Sequence, residues 1–248
     1  MNSNTRIQTV DSQDTSQNWE DATTTIQPFD KQNTNSKYMY KLSKGILDRV
    51  AAFFLIVILS PVLAIITLAI KLDSSGSAIY RREQVGENNR IFIAYKFRTM
   101  KSNNSDSEYK NYLAKYILEN APYTVDENGQ AVYKVVEDPR VTRIGSLLRK
   151  TNLDELPQLV NVLKGEMSIV GPRPDIPYAV AMYKDWHKKR LNAKPGITGL
   201  WQVCHRKGIP FEGMVRLDID YIKQRSLLLD IKIMLKTVVT ILTKDGSQ

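Results

Sequence analysis

One stretch limits what this chain can fold into more than any other. From Val50 to Ile70 it reads VAAFFLIVILSPVLAIITLAI, 21 residues without a charge. As a straight α-helix this run rises about 31 Å, close to the roughly 30 Å of a bilayer's hydrocarbon core. Ser60-Pro61 stands at its centre. Proline lacks an N–H and its ring crowds the preceding turn, so a helix kinks or breaks there. Each half, about ten residues, then reaches only the bilayer midplane. The flanks add a second constraint. Lys41, Lys44 and Arg49 precede the run, and Lys71, Arg81 and Arg82 follow it. Positive charge marks the cytoplasmic side, and a spanning helix shows it asymmetrically. A re-entrant helix that breaks at Ser60-Pro61 and leaves by the face it entered accommodates both facts, with freed carbonyls bonded by Ser60 or by neighbouring protein. A single spanning helix is the second reading and a buried core helix the third.

The chain as a whole has the make-up of an ordinary globular protein, 42% apolar and 25% charged, which excludes a polytopic membrane protein and a wholly disordered chain. One cysteine, Cys204, excludes an intramolecular disulfide and a Cys-rich zinc site. Two histidines make a multi-His centre a poor expectation, so any metal is a hard cation held by oxygens. Residues 1–40 contain 21 Asn, Ser, Thr or Gln, with three bases against five acids. They read as a disordered tail without the apolar core of a signal peptide. The whole chain is +9, so the part beyond this tail is +11. A basic body calls for an anionic partner: nucleic acid, phosphorylated substrate or anionic lipid.

Between tail and C-terminus the pattern predicts a β-hairpin over 77–100 turning at Gly86–Asn89 and a helix over 108–119. It predicts a loop or small hairpin over 121–137 and helices over about 142–150 and 153–164. A helix over 177–192 and a strand-like end to 194–203 follow. In 225–244, lysines 232, 236 and 244 share one face of a largely apolar helix. That suits equally a helix lying in the lipid interface and one packed on the core.

No GxxxxGK[ST], GxGxxG or GxSxG motif is present, so bound phosphates must be held by arginine and lysine side chains, with a divalent cation. The densest group of reactive side chains runs Arg149-Lys150-Thr151-Asn152-Leu153-Asp154-Glu155. Two acids at a helix start commonly do no more than complement the helix dipole, with Asn152 or Thr151 as cap. Their chemical reading is a carboxylate nucleophile beside an acid that helps hold Mg²⁺. Further bases sit beside rigid turns: Lys96 and Arg98, Arg140 and Arg143, and Arg173 between two prolines, preorganised for a bidentate phosphate contact.

A series of motifs now has a likeness. Lys96-Phe97-Arg98-Thr99-Met100 follows the Ser-Pro-interrupted run, then Asp138-Pro139-Arg140-Val141-Thr142-Arg143-Ile144-Gly145, then Leu148 to Gln158 (LRKTNLDELPQ), then Ser168 to Pro174 (SIVGPRP) and Lys194 to Val203 (KPGITGLWQV). In this order they resemble the bacterial sugar transferase family, the monotopic polyprenyl-phosphate phosphoglycosyl transferases, over about 41–244. The resemblance implies transfer of a sugar-1-phosphate from a UDP-sugar to undecaprenyl phosphate, with UMP as leaving group, at the start of surface polysaccharide or glycoconjugate synthesis. It implies Asp154 as nucleophile, Glu155 as its Mg²⁺-binding neighbour, and Lys96, Arg98, Arg149 and Arg173 as phosphate-binding bases. It places the re-entrant break on Ser60 and Pro61. The chain resembles the shorter form of the family, without extra N-terminal membrane helices. Cys204-His205-Arg206-Lys207 departs from the polar turn that many relatives carry after Gln-Val, which leaves the contacts of that turn open.

The expected architecture is therefore α+β, mainly helical. A tail (1–40) precedes a re-entrant membrane helix-hairpin (41–75) and a catalytic domain (76–248) with amphipathic interfacial helices and a small β-hairpin. The expected setting is the bacterial inner membrane with the catalytic domain on the cytoplasmic face. The expected partners are the UDP-sugar, the undecaprenyl phosphate, the membrane and not nucleic acid, with a homodimer left open. The alternative is a non-catalytic membrane scaffold of polysaccharide assembly with the same fold.

Overall fold

A computed structural model of the chain describes residues 34–101, 107–125, 129, 131–133, 138, 140–204 and 209–242. Helix α1 (Thr34–Asp73) is the longest element, and residues 38–73 within it are long and apolar enough to cross a membrane. It is assigned as continuous through Pro61. The reason is local. Proline at 61 cannot donate to the carbonyl of Val57, and the hydroxyl of Ser60 donates to that carbonyl instead, at 2.8 Å. The helix starts earlier than expected: the last seven residues of the anticipated tail are its first two turns, and residues 1–33 lie outside the described residues. The start has a tertiary cause, because Tyr40 donates a 2.9 Å bond to Asp230.

Strands β1 (Ile79–Val85) and β2 (Ile91–Phe97) form the expected antiparallel hairpin. Its turn is a short 3₁₀ segment in which Asn88 and Asn89 take positive φ, a conformation asparagine tolerates better than most residues. Helix α2 (Ser107–Glu119) and a two-residue hairpin of β3 (Thr124–Val125) and β4 (Ala131–Val132) come next. Helix α3 (Arg143–Thr151) starts on a Thr142 hydroxyl that accepts from Gly145 N–H. The predicted 153–164 helix is two pieces: a 3₁₀ segment, Leu153–Gln158, and α4 (Leu159–Lys164), which ends on Gly165 with positive φ. Asn152, left-handed, breaks it from α3.

Strand β5 (Ser168–Val170) pairs in parallel with β6 (Gly196–Thr198). The backbones of Gly171 and Gly196 pass so closely that a Cβ on either would overlap main-chain atoms of the other's segment. This is where the sequence misled: 194–203 is strand first and then helix α6 (Leu200–Cys204). The 177–192 helix also fails to form. Only α5 (Pro177–Val180) and a 3₁₀ segment, His187–Asn192, are helical. In between, Lys184 N–H donates to Nδ1 of His187, and Tyr183 and Arg190 are drawn to side-chain partners elsewhere, so tertiary bonds override the helical period. Helices α7 (Phe211–Gln224) and α8 (Leu227–Leu242) complete the chain.

Three apolar clusters hold these pieces. The largest joins α2, β5 and α5 to α8 around Phe211, Val215 and Leu217. The second packs Ala52 of α1 on Phe92, Ala94, Leu159 and Val162. The third packs Ile66 and Ile70 of α1 on Phe97 and Leu148. Residues from both ends of α1 bond to the same domain: Tyr40 and Lys44 to Asp230, Asp48 to Ser168, and Asp73 to the N–H of Ile144. Its other side is bare, with Phe53, Phe54, Val57, Ile58, Ile65 and Leu68 exposed. Helix α8 is divided likewise. Ile233 and Asp230 are buried, while Leu228, Ile231, Leu235, Val238 and Val239 form an exposed stripe beside the exposed Lys232 and Lys236.

Gly145 shows how closely α3 is seated. A Cβ there would overlap the carbonyl of Thr99. Gly145→Ala should therefore lower stability by about 2 kcal/mol, the scale of overpacking against an unyielding neighbour. It does so although alanine is the better helix former by about 1 kcal/mol. Thermal melting of the two proteins checks the sign.

Candidate active site

The Asp154-Glu155 pair sits on the 3₁₀ segment between α3 and α4. Leu156 of that segment packs into both the second and the third cluster, directly under α1. The two carboxylates are thus fixed on a short, tightly held element rather than a free loop, and their surroundings separate them. Glu155 is buried, and its Oε1 accepts from Lys96 Nζ at 2.7 Å and from Arg173 Nη2 at 2.9 Å. Burial alone would raise its carboxyl. The charges of Arg173 and Lys96 and their hydrogen bonds outweigh burial and hold it at about 2. Asp154 is half-buried and makes no hydrogen bond or ion pair among the described residues. Burial pushes it up, Lys96 pulls it back, and the adjacent Glu155 charge adds to the rise. One acid is pinned and ionised at neutral pH, while its neighbour is unencumbered and more basic than an ordinary aspartate. Such divergence within a carboxylate pair is how a site assigns different roles to like groups.

The bases divide too. Lys96 reaches the dyad from the end of β2, and Arg173 from the Gly171–Pro174 turn. Arg149, in the last turn of α3, donates through Nε to the Thr99 hydroxyl at 3.0 Å, and its charge is felt at Asp154. Its remaining guanidinium nitrogens have no partner among the described residues, so they can take up a phosphate. Arg98, expected among the phosphate-binding bases, lies just past the end of β2 at Phe97. The Arg98 guanidinium turns to the carbonyls of Ser74 and Ser75, at 2.7 and 2.6 Å, where it ties down the end of α1. Both terminal nitrogens of its guanidinium are thus engaged by main chain rather than turned to the dyad. Arg140 closes a bidentate pair with Asp138, at 2.8 and 2.6 Å. His205, Arg206 and Lys207 lie outside the described residues.

Sequence reading passed over several residues. Thr99 anchors Arg149. The Asn161 side chain accepts from Tyr95 N–H and donates to the Ile93 carbonyl, standing in for a neighbouring strand along β2. Most consequential is Arg190, fully buried. It donates to Asp218 through Nε and Nη2 (2.9 and 2.6 Å), to Asp175 and Tyr183 through Nη1 (2.6 Å each), and to the main-chain carbonyl of Arg173 through Nη2 at 2.8 Å. The turn that presents Arg173 is held from behind by this network. Nothing in His187-Lys188-Lys189-Arg190 marked the last base as different from its neighbours.

Among the described residues no three His, Cys, Asp or Glu side chains gather as a metal cage. The Asp154 carboxylate and Oε2 of Glu155 are the unbonded oxygens. That donor set fits Mg²⁺, which is commonly held by one or two carboxylates and completed by water and substrate phosphate.

The clamp on Glu155 has a thermodynamic signature. Its carboxyl falls from an ordinary 4.5 to about 2 on folding, so between those values the unfolded chain binds more protons and stability rises with pH. The contribution, roughly 3 kcal/mol, is present above about pH 4.5 and lost as pH falls towards 2. Glu155→Gln should flatten the acid limb of stability by that amount. Unfolding midpoints from pH 5 to 2 in the presence of EDTA check it.

Comparison with known proteins places this geometry. The sequence pattern of the bacterial sugar transferase family matches residues 39–244. The undecaprenyl-phosphate galactose phosphotransferase of Salmonella typhimurium is 39% identical over 216 residues, covering 87% of this chain and 44% of that protein. The exopolysaccharide production protein ExoY of Sinorhizobium fredii is 37% identical over 207 residues, 83% of this chain and 88% of that protein. The UDP-glucose:undecaprenyl-phosphate glucose-1-phosphate transferase of Escherichia coli is 38% identical over 210 residues, 80% of this chain and 40% of that protein. The chain thus spans less than half the length of several curated relatives and most of the length of others. A match over this much of the sequence, with the dyad and its bases inside it, makes the chain a member of the bacterial sugar transferase family.

Proposed function

We propose that this protein moves a sugar-1-phosphate from a UDP-sugar to undecaprenyl phosphate through a phosphosugar intermediate on Asp154. The observation that carries the reading is the divided dyad: Asp154 without a partner beside Glu155 pinned by Lys96 and Arg173. Phosphoryl transfer asks a protein mainly for positioning and charge stabilisation. Asp154 attacks the β-phosphorus of the donor, the bond from that phosphorus to the bridging oxygen breaks, and UMP leaves with the electron pair. A phosphate oxygen of the lipid then attacks the same phosphorus, the bond to Asp154 breaks, and the carboxylate is restored. Lys96, Arg149 and Arg173 offset the diphosphate's charge so that an anion can approach it. Mg²⁺ held by Asp154 and Glu155 would supply further charge neutralisation when bound. Two steps through one nucleophile let a single site serve a soluble donor and a lipid acceptor in turn. Relatives named for galactose and for glucose support the class of reaction without choosing the sugar for this chain.

The membrane reading rests on the bare apolar sides of α1 and α8. Tyr40 and Asp73, toward opposite ends of α1, bond to one domain, so the proposed re-entry requires α1, continuous here, to bend at Ser60-Pro61 in the bilayer. Asn33→Cys in a Cys204→Ser background should react with an impermeant maleimide only after the cytoplasmic side is opened. Labelling from the periplasm would refute re-entry. The activity itself is tested by UMP release from a panel of UDP-sugars in membranes with Mg²⁺, with and without undecaprenyl phosphate. Release that yields a lipid-linked product identifies the donor. Silence from every donor with folded protein overturns the proposal in favour of a scaffold role.

A further inference from the structure

A narrow cleft, open to solvent, lies between the first turns of α1 and the rest of the domain. Lys41, Lys44, Lys194 and Arg225 border it, with Asp48 and Glu87. Two of these cations are already engaged: Lys41 with Glu87 at 2.8 Å, and Lys44 with Asp230 at 2.9 Å. Asp48 accepts from the Ser168 hydroxyl at 2.7 Å. Lys194 and Arg225 are different. Both are half-buried, and neither has a hydrogen bond or ion pair among the described residues. Arg225 rests over the Tyr40 ring, 5.8 Å from its centre. Burial, and then the charge of Arg49, press the Lys194 ammonium down, as expected of a cation crowded by its own kind. Two half-buried cations thus face a cleft whose acids are held by other groups.

The cleft's place in the chain indicates what fills it. Tyr40 to Asp48 are the last turns before the uncharged run begins at Val50. A helix that carries that run into lipid brings these turns to the level of the headgroups. We propose that the cleft is a binding site for the phosphate of an anionic phospholipid headgroup, with Lys194 and Arg225 as its ligands. Arginine offers a two-pronged contact and lysine a point charge. Neither residue bonds to Asp154, Glu155 or their bases, so the site stands apart from the transfer chemistry. A bound headgroup would fasten the first turns of α1 to the domain beside the Tyr40–Asp230 bond.

Native mass spectrometry of the full chain in neutral detergent tests this, with phosphatidylglycerol or phosphatidylcholine added in turn. The parent should retain one phosphatidylglycerol and discriminate against phosphatidylcholine. Lys194→Ala with Arg225→Ala should weaken retention by about thirtyfold, the product expected of two cations at a charged surface. Lys232→Ala with Lys236→Ala, which removes exposed charge from α8, should leave retention unchanged. The exchanged pair, Lys194→Arg with Arg225→Lys, should keep the lipid and so separates lost charge from lost folding. Equal retention of the two lipids, or retention by the double alanine variant, overturns the proposal. So does millimolar inorganic phosphate that binds the parent while no lipid is retained, because the cleft is then a free-phosphate site.

Discussion

If Asp154 is the nucleophile proposed above, Asp154→Asn should leave the protein folded and unable to form the phosphosugar intermediate. Incubated with a labelled UDP-sugar and no lipid, the parent should carry one sugar phosphate per chain through denaturing electrophoresis, and the variant none. Steady-state UMP release should fall by about 10⁴-fold or more, some 5.5 kcal/mol of barrier. The size of the effect follows from chemistry: an amide cannot form the acyl phosphate, and no other described acid beside it is free to. Glu155 is a poor substitute because Lys96 and Arg173 hold it and lower its basicity. The selectivity follows from geometry. The Asp154 carboxylate has no hydrogen bond or ion pair among the described residues, so exchanging it for an amide of the same shape removes nothing that supports the fold. Melting temperatures should agree within a degree or two. Label that persists on the variant, or maps to a different residue of the parent, would sink the assignment of the nucleophile.

What the sequence disclosed and what it concealed divide along a physical line. Local signals were legible. The Asn-rich turn of the first hairpin and the stop at Gly165 both lie within a few residues of the element they control. The dyad was visible because two acids and a base stand together in the chain. Which acid is clamped was not visible, since Lys96 comes from 59 residues away and Arg173 from 18. The partners of Arg98 were hidden for the same reason: the Ser74 and Ser75 carbonyls that its guanidinium bonds lie 24 and 23 residues upstream. The expected helix over 177–192 failed where side chains found partners across the domain. The segment 194–203 reversed its expected order because close backbone approach at Gly171 and Gly196 makes a parallel pair that no local pattern announces. Charge runs are the least legible of all. His187-Lys188-Lys189-Arg190 reads as a solvated stretch, yet Arg190 is among the most deeply buried side chains present.

That burial makes Arg190→Met the largest expected loss of stability. Removing one member of a buried ion pair strands the other, at a cost of about 3–5 kcal/mol. For a chain of this size the melting temperature should drop by roughly ten degrees. The loss should also depend on pH in a stated direction. Burial already pushes the Asp218 carboxyl up to about 6, with the Arg190 charge pulling against it. A carboxyl raised on folding binds more protons folded than unfolded, so its stability contribution declines as pH rises through the folded value. Without Arg190 that value moves higher still. The variant should therefore be nearer the parent at pH 5.5 and furthest from it near pH 8. Adding Asp218→Asn to Arg190→Met should recover part of the deficit, so the two changes should fall well short of additive. The functional consequence separates a positioning role from mere stability. Arg190 holds the main-chain carbonyl of Arg173 at 2.8 Å, so at a temperature where the variant is fully folded its KM for the UDP-sugar should rise while labelling of Asp154 still occurs. A variant that melts lower but binds donor like the parent would leave Arg190 a purely structural residue. One that melts like the parent at both pH values would mean that the network does not carry the load its geometry implies.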